Sequence, residues 1–167
     1  MEKLCKRLIE VDLPIKRISE NARKEKSVRQ GHISSLHIWW ARRPLAACRA
    51  VLCSALWPDP ADILCLDSFK VISRKEMQKW AKKHINLLSV NSYKRFVSYQ
   101  TNPELLLDNI QLRFALLDFI ADFSSWENST KVEFIETSRI LTEAAYAAIG
   151  GEEGNTPVIM DPFAGGG

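Results

Sequence analysis

The chain has 167 residues, of which 46% are hydrophobic and 26% charged, with only 7 glycines and 7 prolines. These values argue against disordered, collagen-like and coiled-coil proteins and predict a globular chain long enough to bury a core. The formal net charge is +3, but residues 1–50 hold 12 Lys or Arg against 5 Asp or Glu. The basic excess therefore lies in the N-terminal part, where it indicates either a surface for a polyanion such as DNA or a solvated helix face.

The sequence gives no indication of export or of a membrane span. Residues 1–10 are charged from the second position and contain no apolar signal core. The longest apolar stretch, residues 44–57, is interrupted by Arg49 and is shorter than the roughly 20 residues that cross a bilayer. The four cysteines form no C-x-x-C pair and predict reduced thiols. We therefore expect a cytoplasmic protein with no membrane partner.

The first part of the chain predicts two main helices. Pro14 suits the first turn of a helix with a strongly basic outer face, which runs through Lys26 and ends near Gly31. Pro44 suits the first turn of a second helix, which continues to Trp57 and is apolar almost all the way round. Because such a helix is buried on most of its surface, we predict that it forms the centre of the core.

Capping patterns predict three further helices. A Ser-x-x-Glu capping box opens a helix over residues 73–88, and Asn-Pro-Glu opens one over 102–121 with an apolar stripe. A Thr-x-x-Glu capping box opens the last helix, over 130–149, which Gly150 and Gly151 end. The sequence thus predicts a helical domain over residues 1–150.

The pattern changes after a polar linker at residues 152–156. Residues 157–161 form a short apolar run with β-branched side chains and predict a buried strand. The run ends in an acidic residue, Asp161, and a glycine run follows at 165–167, where glycine would let the backbone approach a ligand. This order predicts the first strand and glycine-rich loop of a nucleotide-binding α/β unit; the alternative is a flexible glycine tail.

Residues 158–167 resemble the first motif of S-adenosylmethionine-dependent methyltransferases, especially those that methylate exocyclic amino groups of nucleic-acid bases. Residues 31–50, which include Trp-Trp-Ala-Arg-Arg-Pro, look like the N-terminal domain of unknown function of a family of adenine-specific DNA methylases. Some members of that family also carry a zinc ribbon. The Trp-Glu-Asn-Ser-Thr sequence at 126–130 resembles the same family. The likeness covers residues 1–57 and 102–167, whereas 64–101 looks particular to this chain.

The resemblance implies a mainly α fold. A helical N-terminal domain over residues 1–150 would be followed, at 157–167, by the first strand and glycine-rich loop of a truncated Rossmann-like α/β methyltransferase domain. It implies S-adenosylmethionine as the cofactor, DNA as a partner and methyl transfer to adenine N6. The residues that would bind the cofactor are Asp161, Pro162, Phe163, Ala164, Gly165, Gly166 and Gly167.

No catalytic residue is assigned. The family's later ribose-binding acid and its Asn/Asp-Pro-Pro-Tyr/Phe motif do not occur in this sequence, which contains no Pro-Pro pair. We therefore expect the chain to be an N-terminal piece that is inactive alone and needs the remainder of the methyltransferase domain or a complementing subunit. The alternatives are a non-catalytic helical module that binds nucleic acid or a protein partner, and a different Rossmann-like nucleotide binder.

Trp39, Trp40, Arg42 and Arg43 are the candidate nucleic-acid-binding residues. If Pro44 begins a helix, the two arginines lie beside the positive end of its dipole, which disfavours cations by roughly 0.3–1 kcal/mol each. A negative group is therefore expected nearby: a DNA phosphate, the cofactor carboxylate or an acidic side chain of the protein itself. The tryptophans are suited to stacking on a flipped base or to packing in the core.

The histidines do not predict a metal site. His32 and His37 are five residues apart, off the i, i+4 spacing that aligns two ligands on a helix, and no cysteine is close to them in sequence. His84 falls on the apolar stripe of its predicted helix and is expected to be a hydrogen-bonded core or boundary residue.

Overall fold

The computed structural model describes residues 4–27 and 44–152, together with residues 155, 157, 158 and 160. These ranges contain an isolated antiparallel bridge between Arg7 and Pro58 but no strand. The chain is mainly helical, as the sequence predicts. The α-helices of the described ranges are α1 (Leu8–Val11), α2 (Ile15–Ser27), α3 (Leu45–Leu56), α4 (Asp67–Lys79), α5 (Val90–Thr101), α6 (Asn109–Phe123) and α7 (Val132–Ala147).

The centre of the core is α6. Ten of its 15 residues are buried, and it packs against α3, α4 and α5. The prediction that α3 holds this position is wrong. α3 turns its small residues inward, among them Ala46 and Ala50, and leaves larger side chains such as Leu52 exposed. The small residues allow close approach to α2 and α6, so one side of α3 is enough to close the core.

Two buried tryptophans tie the core to α7. The indole N–H of Trp57 donates to the Thr142 hydroxyl at 3.0 Å, and that of Trp80 donates to the Thr137 hydroxyl at 2.9 Å. The Trp80 ring meets Phe119 of α6 edge to face, with ring centroids 5.2 Å apart. The large aromatic surface is thus buried without leaving the indole donors unpaired.

Some predicted helix starts are confirmed and others are wrong. α2 begins directly after Pro14, as predicted. The Ser73 capping box is wrong, because α4 already begins at Asp67 and the Ser73 hydroxyl donates to the Phe69 carbonyl from inside the helix. The Thr130 capping box is wrong as well, since Lys131 is the N-cap of α7. Serine and threonine satisfy backbone groups both at caps and inside helices, so the pattern alone does not locate a start.

The predicted helix over residues 102–121 is divided into two parts. Asn102 caps a 3-10 turn at Pro103–Leu107, accepting a hydrogen bond from the Glu104 N–H. Asp108 then caps α6 by accepting one from the Ile110 N–H at 2.8 Å. The second cap lies inside the apolar stripe, which conceals the break. α5 lies between the two predicted helices, in a region where no pattern predicted a helix.

The end of α7 agrees with the predicted glycine stop. Gly150 has φ +89°, a conformation that favours glycine, and the Gly151 N–H donates to the Tyr146 carbonyl at 3.0 Å. Beyond it, Pro157, Val158 and Met160 do not lie in a strand. Ile159 and residues 161–167 are outside the described residues, so the strand and the Rossmann-like unit stay predictions.

Candidate functional site at the junction of α2 and α3

The predicted site residues fall in two segments, 28–43 and 161–167, that lie outside the described residues. What the structure does describe is how the first segment is attached at both ends, and which charged groups lie near the attachment points. The residues concerned are Trp39, Trp40, Arg42, Arg43 and Asp161–Gly167.

Glu25 links the end of α2 to the start of α3. Its side chain is fully buried, and its carboxylate accepts hydrogen bonds from the N–H groups of Leu45, at 3.1 Å, and Ala46, at 2.8 Å. The first N–H groups of a helix have no intrahelical partner and attract negative charge. An acidic side chain of the protein itself therefore lies at the start of α3. Arg42 and Arg43 are outside the described residues, so their own anionic partner stays a prediction.

Glu25 also holds together the two described parts of the chain that flank segment 28–43. Ser27 ends α2 two residues after Glu25, and Pro44 immediately precedes the Leu45 N–H that Glu25 binds. α2 and α3 pack directly against each other. The segment with the predicted nucleic-acid-binding residues thus leaves and rejoins the described fold at one place, the α2–α3 junction.

The last turns of α2 present free positive charge at this junction. Arg23, Lys24 and Lys26 are exposed and form no ion pair within the described ranges. This confirms the basic outer face predicted for the helix. Cations near a helix C-terminus are favoured by the helix dipole, which accounts for them without a ligand. They are also free to meet phosphates.

Arg17 of α2 points inward and has a structural role. Its guanidinium donates to Asp118 and Asp122 of α6, each at 2.7 Å, and to the hydroxyls of Ser89 and Ser92. The Asp122 side chain is only 3% exposed. A buried carboxylate needs such a partner, so Arg17 serves to hold α2 on α6 and is not available to an external anion.

A second arginine completes this network. Arg95 donates to Asp118 at 2.7 Å, and its guanidinium lies 4.9 Å from the centre of the Phe114 ring. Burial raises the pKa of Asp118 above its usual value, while Arg95 and then Arg17 act in the opposite direction. The two guanidiniums therefore offset the cost of keeping a charged carboxylate in the interior.

An open cleft of about 330 Å³ lies beside the Arg17 network. Its lining includes Glu20, Lys24 and Glu127, which have charges of both signs. Asn21, on the same wall, donates to the Ala121 carbonyl and the Ser124 hydroxyl. Since the charges are mixed and the buried donors are already paired, the cleft does not select for an anion or a cation.

Glu127 at this cleft is an ionised acid held by its neighbours. The Ser125 hydroxyl donates to its carboxylate, and this hydrogen bond, followed by a backbone N–H, lowers the pKa of Glu127 below its usual value. The carboxylate partly offsets the nearby charge of Lys24.

The described residues contain neither a metal-binding cluster nor a membrane-spanning helix. In residues 4–27 and 44–152 no three His, Cys, Asp or Glu side chains converge as metal ligands. No helix in these ranges has the length and apolar character needed to cross a bilayer. His84 is a half-buried boundary residue, as predicted, and its ring lies 5.2 Å from that of Trp80. His32 and His37 lie outside the described residues.

Neither the Glu25 cap nor the Arg17 network was predicted from the sequence. Glu25 stands between Lys24 and Lys26, a pattern typical of a solvated face. A signal for the network was present, however, because Asp118 and Asp122 stand four residues apart in an otherwise apolar stretch. Two acids on one face of a buried helix require cationic partners from another element.

Residues 12–89 match the model of a family described as a protein of unknown function (DUF1156). The matched region includes α2, α3 and α4, together with the segment that joins α2 to α3. No curated protein and no solved structure matches the chain at a significant level. The family description assigns no activity, so the comparison shows only that residues 12–89 are similar to this family.

Proposed function

We propose that this chain is the N-terminal part of a DNA methyltransferase that transfers a methyl group from S-adenosylmethionine to adenine N6. The observation that carries the proposal is the sequence Val-Ile-Met-Asp-Pro-Phe-Ala-Gly-Gly-Gly at 158–167, which follows a helical domain ending at Gly150. In this proposal Asp161 to Gly167 line the methionine end of the cofactor, and the glycines allow close approach of the backbone. The bound cofactor supplies the methyl group.

The helical domain has the complementary role of holding DNA. Arg23, Lys24 and Lys26 provide positive charge where segment 28–43 joins the fold. Glu25 already accepts hydrogen bonds from the first N–H groups of α3, so these groups are not available to a DNA phosphate. In this proposal the phosphates are bound by the basic side chains of α2 and by Arg42 and Arg43. Trp39 and Trp40 supply aromatic surface for a base taken out of the stack.

Methyl transfer by a reconstituted enzyme tests this proposal. The chain is combined with the polypeptide encoded immediately downstream of residue 167, and labelled S-adenosylmethionine and DNA are added. We expect incorporation that is lost in Asp161→Ala and retained in the control Glu152→Ala, which changes an exposed acid outside the motif. Incorporation by the 167-residue chain alone, abolished by the Asp161 change, would contradict the assignment of the catalytic motif to another polypeptide.

The second candidate is a non-catalytic module that binds nucleic acid through α2, favoured by the exposed cations at the end of that helix. It predicts DNA binding without methyl transfer in the reconstituted mixture. Under both proposals DNA binding by the chain is weak, nearly independent of DNA sequence and steeply reduced by salt, since phosphate contacts release counterions.

The Arg42→Ala, Arg43→Ala double variant should lower the affinity for DNA and flatten the dependence of that affinity on salt. If these arginines instead pair with internal carboxylates, the variant melts at a lower temperature and keeps the salt slope.

A further inference from the structure

The outward side of α3 carries apolar side chains and no charge. Leu45, Val51 and Leu52 are 43%, 44% and 41% exposed. Cys48 and Ala55 lie on the same side, at helical spacings of three and four residues. We call this surface the α3 face; it consists of Leu45, Cys48, Val51, Leu52 and Ala55.

The one charged residue of α3, Arg49, is not part of the α3 face. Arg49 is turned toward α6, where its guanidinium donates to the carbonyls of Phe123, at 3.3 Å, and Ser124, at 2.8 Å. The other helices that meet solvent differ, because α2 exposes Arg23 and α4 exposes Lys75, and α7 and α5 likewise expose charged side chains. A helix side that faces water normally carries such residues, and a contiguous apolar surface marks a site of association.

The path of the chain indicates what covers the α3 face. The Trp57 indole at the end of α3 donates to Thr142 of α7, so the last helix runs beside α3. From Thr142, about 8 Å of helix remain before α7 ends at Ala147. Residues 148–151 form a hydrogen-bonded turn in which the Gly151 N–H donates to the Tyr146 carbonyl. The five residues that follow, 152–156, span at most about 17 Å, close to the length of α3, which is about 18 Å. Whatever domain begins at Pro157 therefore lies within reach of the α3 face.

The start of that domain is itself uncovered. Val158 is 94% exposed and Met160 is 85% exposed, although both belong to the run that predicts a buried strand. The same chain thus carries two uncovered apolar surfaces that its linker allows to meet. Sheets of α/β domains bury their faces against helices, which is the kind of surface that α3 offers.

We propose that the α3 face is the surface on which the α/β domain beginning at residue 157 packs, an inference that rests on the proposed function. The residues of α3 are then a docking surface between the helical domain and the methyltransferase domain, and they take no part in binding DNA or cofactor.

The test uses the Val51→Glu, Leu52→Glu double variant of the 167-residue chain and the polypeptide encoded downstream. Titration calorimetry should show binding to the unaltered chain and at least a tenfold higher Kd for the variant. Circular dichroism should show an unchanged melting temperature for the variant alone, because both side chains face outward. Val71→Glu, on an exposed part of α4, is the matched control and should bind like the unaltered chain.

Several outcomes would overturn the proposal. One is equal affinity of the variant and the unaltered chain, or no binding by either. Another is a dimer of the chain alone, seen by sedimentation velocity, that the variant converts to a monomer, since the occupant would then be a second copy. A third is a large loss of thermal stability in the variant, which would show that the chain's own segment 28–43 covers the face. Methyl transfer measured in parallel separates the two proposals. If the unaltered chain supports methyl transfer but the variant binds the downstream polypeptide equally well, only the docking surface is wrong. If the variant loses binding but the unaltered chain supports no methyl transfer, only the proposed methyltransferase function is wrong.

Discussion

Arg17 and Asp122 are separated by 105 positions in the sequence, and their side chains form an ion pair of 2.7 Å that joins α2 to α6. The pair is part of a network in which Asp118 receives a second guanidinium from Arg95. α2 contains mainly polar and charged residues and buries little apolar surface of its own, with Ile18 as its buried hydrophobic residue. Its position on the core therefore depends on this polar contact more than on hydrophobic packing.

Replacing Arg17 should destabilise the fold. Arg17→Ala leaves Asp122 buried without its guanidinium, which should lower the free energy of unfolding by about 3 kcal/mol. Arg23→Ala, an equivalent change at an exposed position of the same helix, should alter it by less than about 0.5 kcal/mol. Urea unfolding followed by circular dichroism measures both. Equal stability of the two variants would mean that the network does not hold α2 in place.

The Glu25 cap predicts a graded effect of substitution. Glu25→Ala removes the acceptor for two N–H groups of α3 and should cost about 1–2 kcal/mol in the free energy of unfolding. Glu25→Gln keeps one carbonyl oxygen and should cost less. Thermal unfolding compares the two with Glu20→Ala, an exposed acid on the same helix. If the alanine and glutamine variants were equally stable, hydrogen bonding to α3 would not be what Glu25 provides.

The buried indole of Trp80 depends on one hydroxyl. Thr137 is 1% exposed, so Thr137→Val keeps the shape of the side chain and leaves the indole N–H without its partner, at a cost of about 1–3 kcal/mol. Thr137→Ser retains the hydroxyl and should recover part of the loss. Thr101→Val, at an exposed position, is the control. Urea unfolding monitored by tryptophan fluorescence gives the order of stability, and a valine variant as stable as the serine variant would contradict the role of the hydrogen bond.

Two buried thiols predict a loss of stability at alkaline pH. Burial raises the pKa of Cys53 to about 12 and that of Cys65 to about 12. In the unfolded chain such thiols ionise near pH 8.5, so above that pH unfolding releases protons and the free energy of unfolding falls as the pH rises. The fall should be about 1–2 kcal/mol per thiol at pH 10, since each pH unit above the unfolded pKa costs about 1.4 kcal/mol. Urea unfolding at pH 7 and pH 10 should show a smaller fall in the free energy of unfolding for Cys65→Ser than for the unaltered chain. An identical fall in both proteins would contradict the role of the Cys65 thiol.

The sequence was most informative where local signals and burial agree. Pro14 marks the start of α2, and Gly150, which adopts a positive φ, marks the end of α7, because both residues have strong backbone preferences. It was least informative where partners come from distant elements. The apolar composition of α3 predicted a helix at the centre of the core. In our proposal the outward side of α3 is apolar because another domain packs on it. Glu25 looked like a solvated residue until α3 was placed against it.

The methylated nucleoside released from DNA tests the proposed function most directly. DNA is incubated with S-adenosylmethionine, the chain and the downstream polypeptide, then digested to nucleosides and analysed by mass spectrometry. The proposal predicts N6-methyl-2′-deoxyadenosine, formed only when both polypeptides are present and absent with Asp161→Ala. A methyl group found on cytosine, or no methylated nucleoside although the two polypeptides form a stable complex, would contradict it.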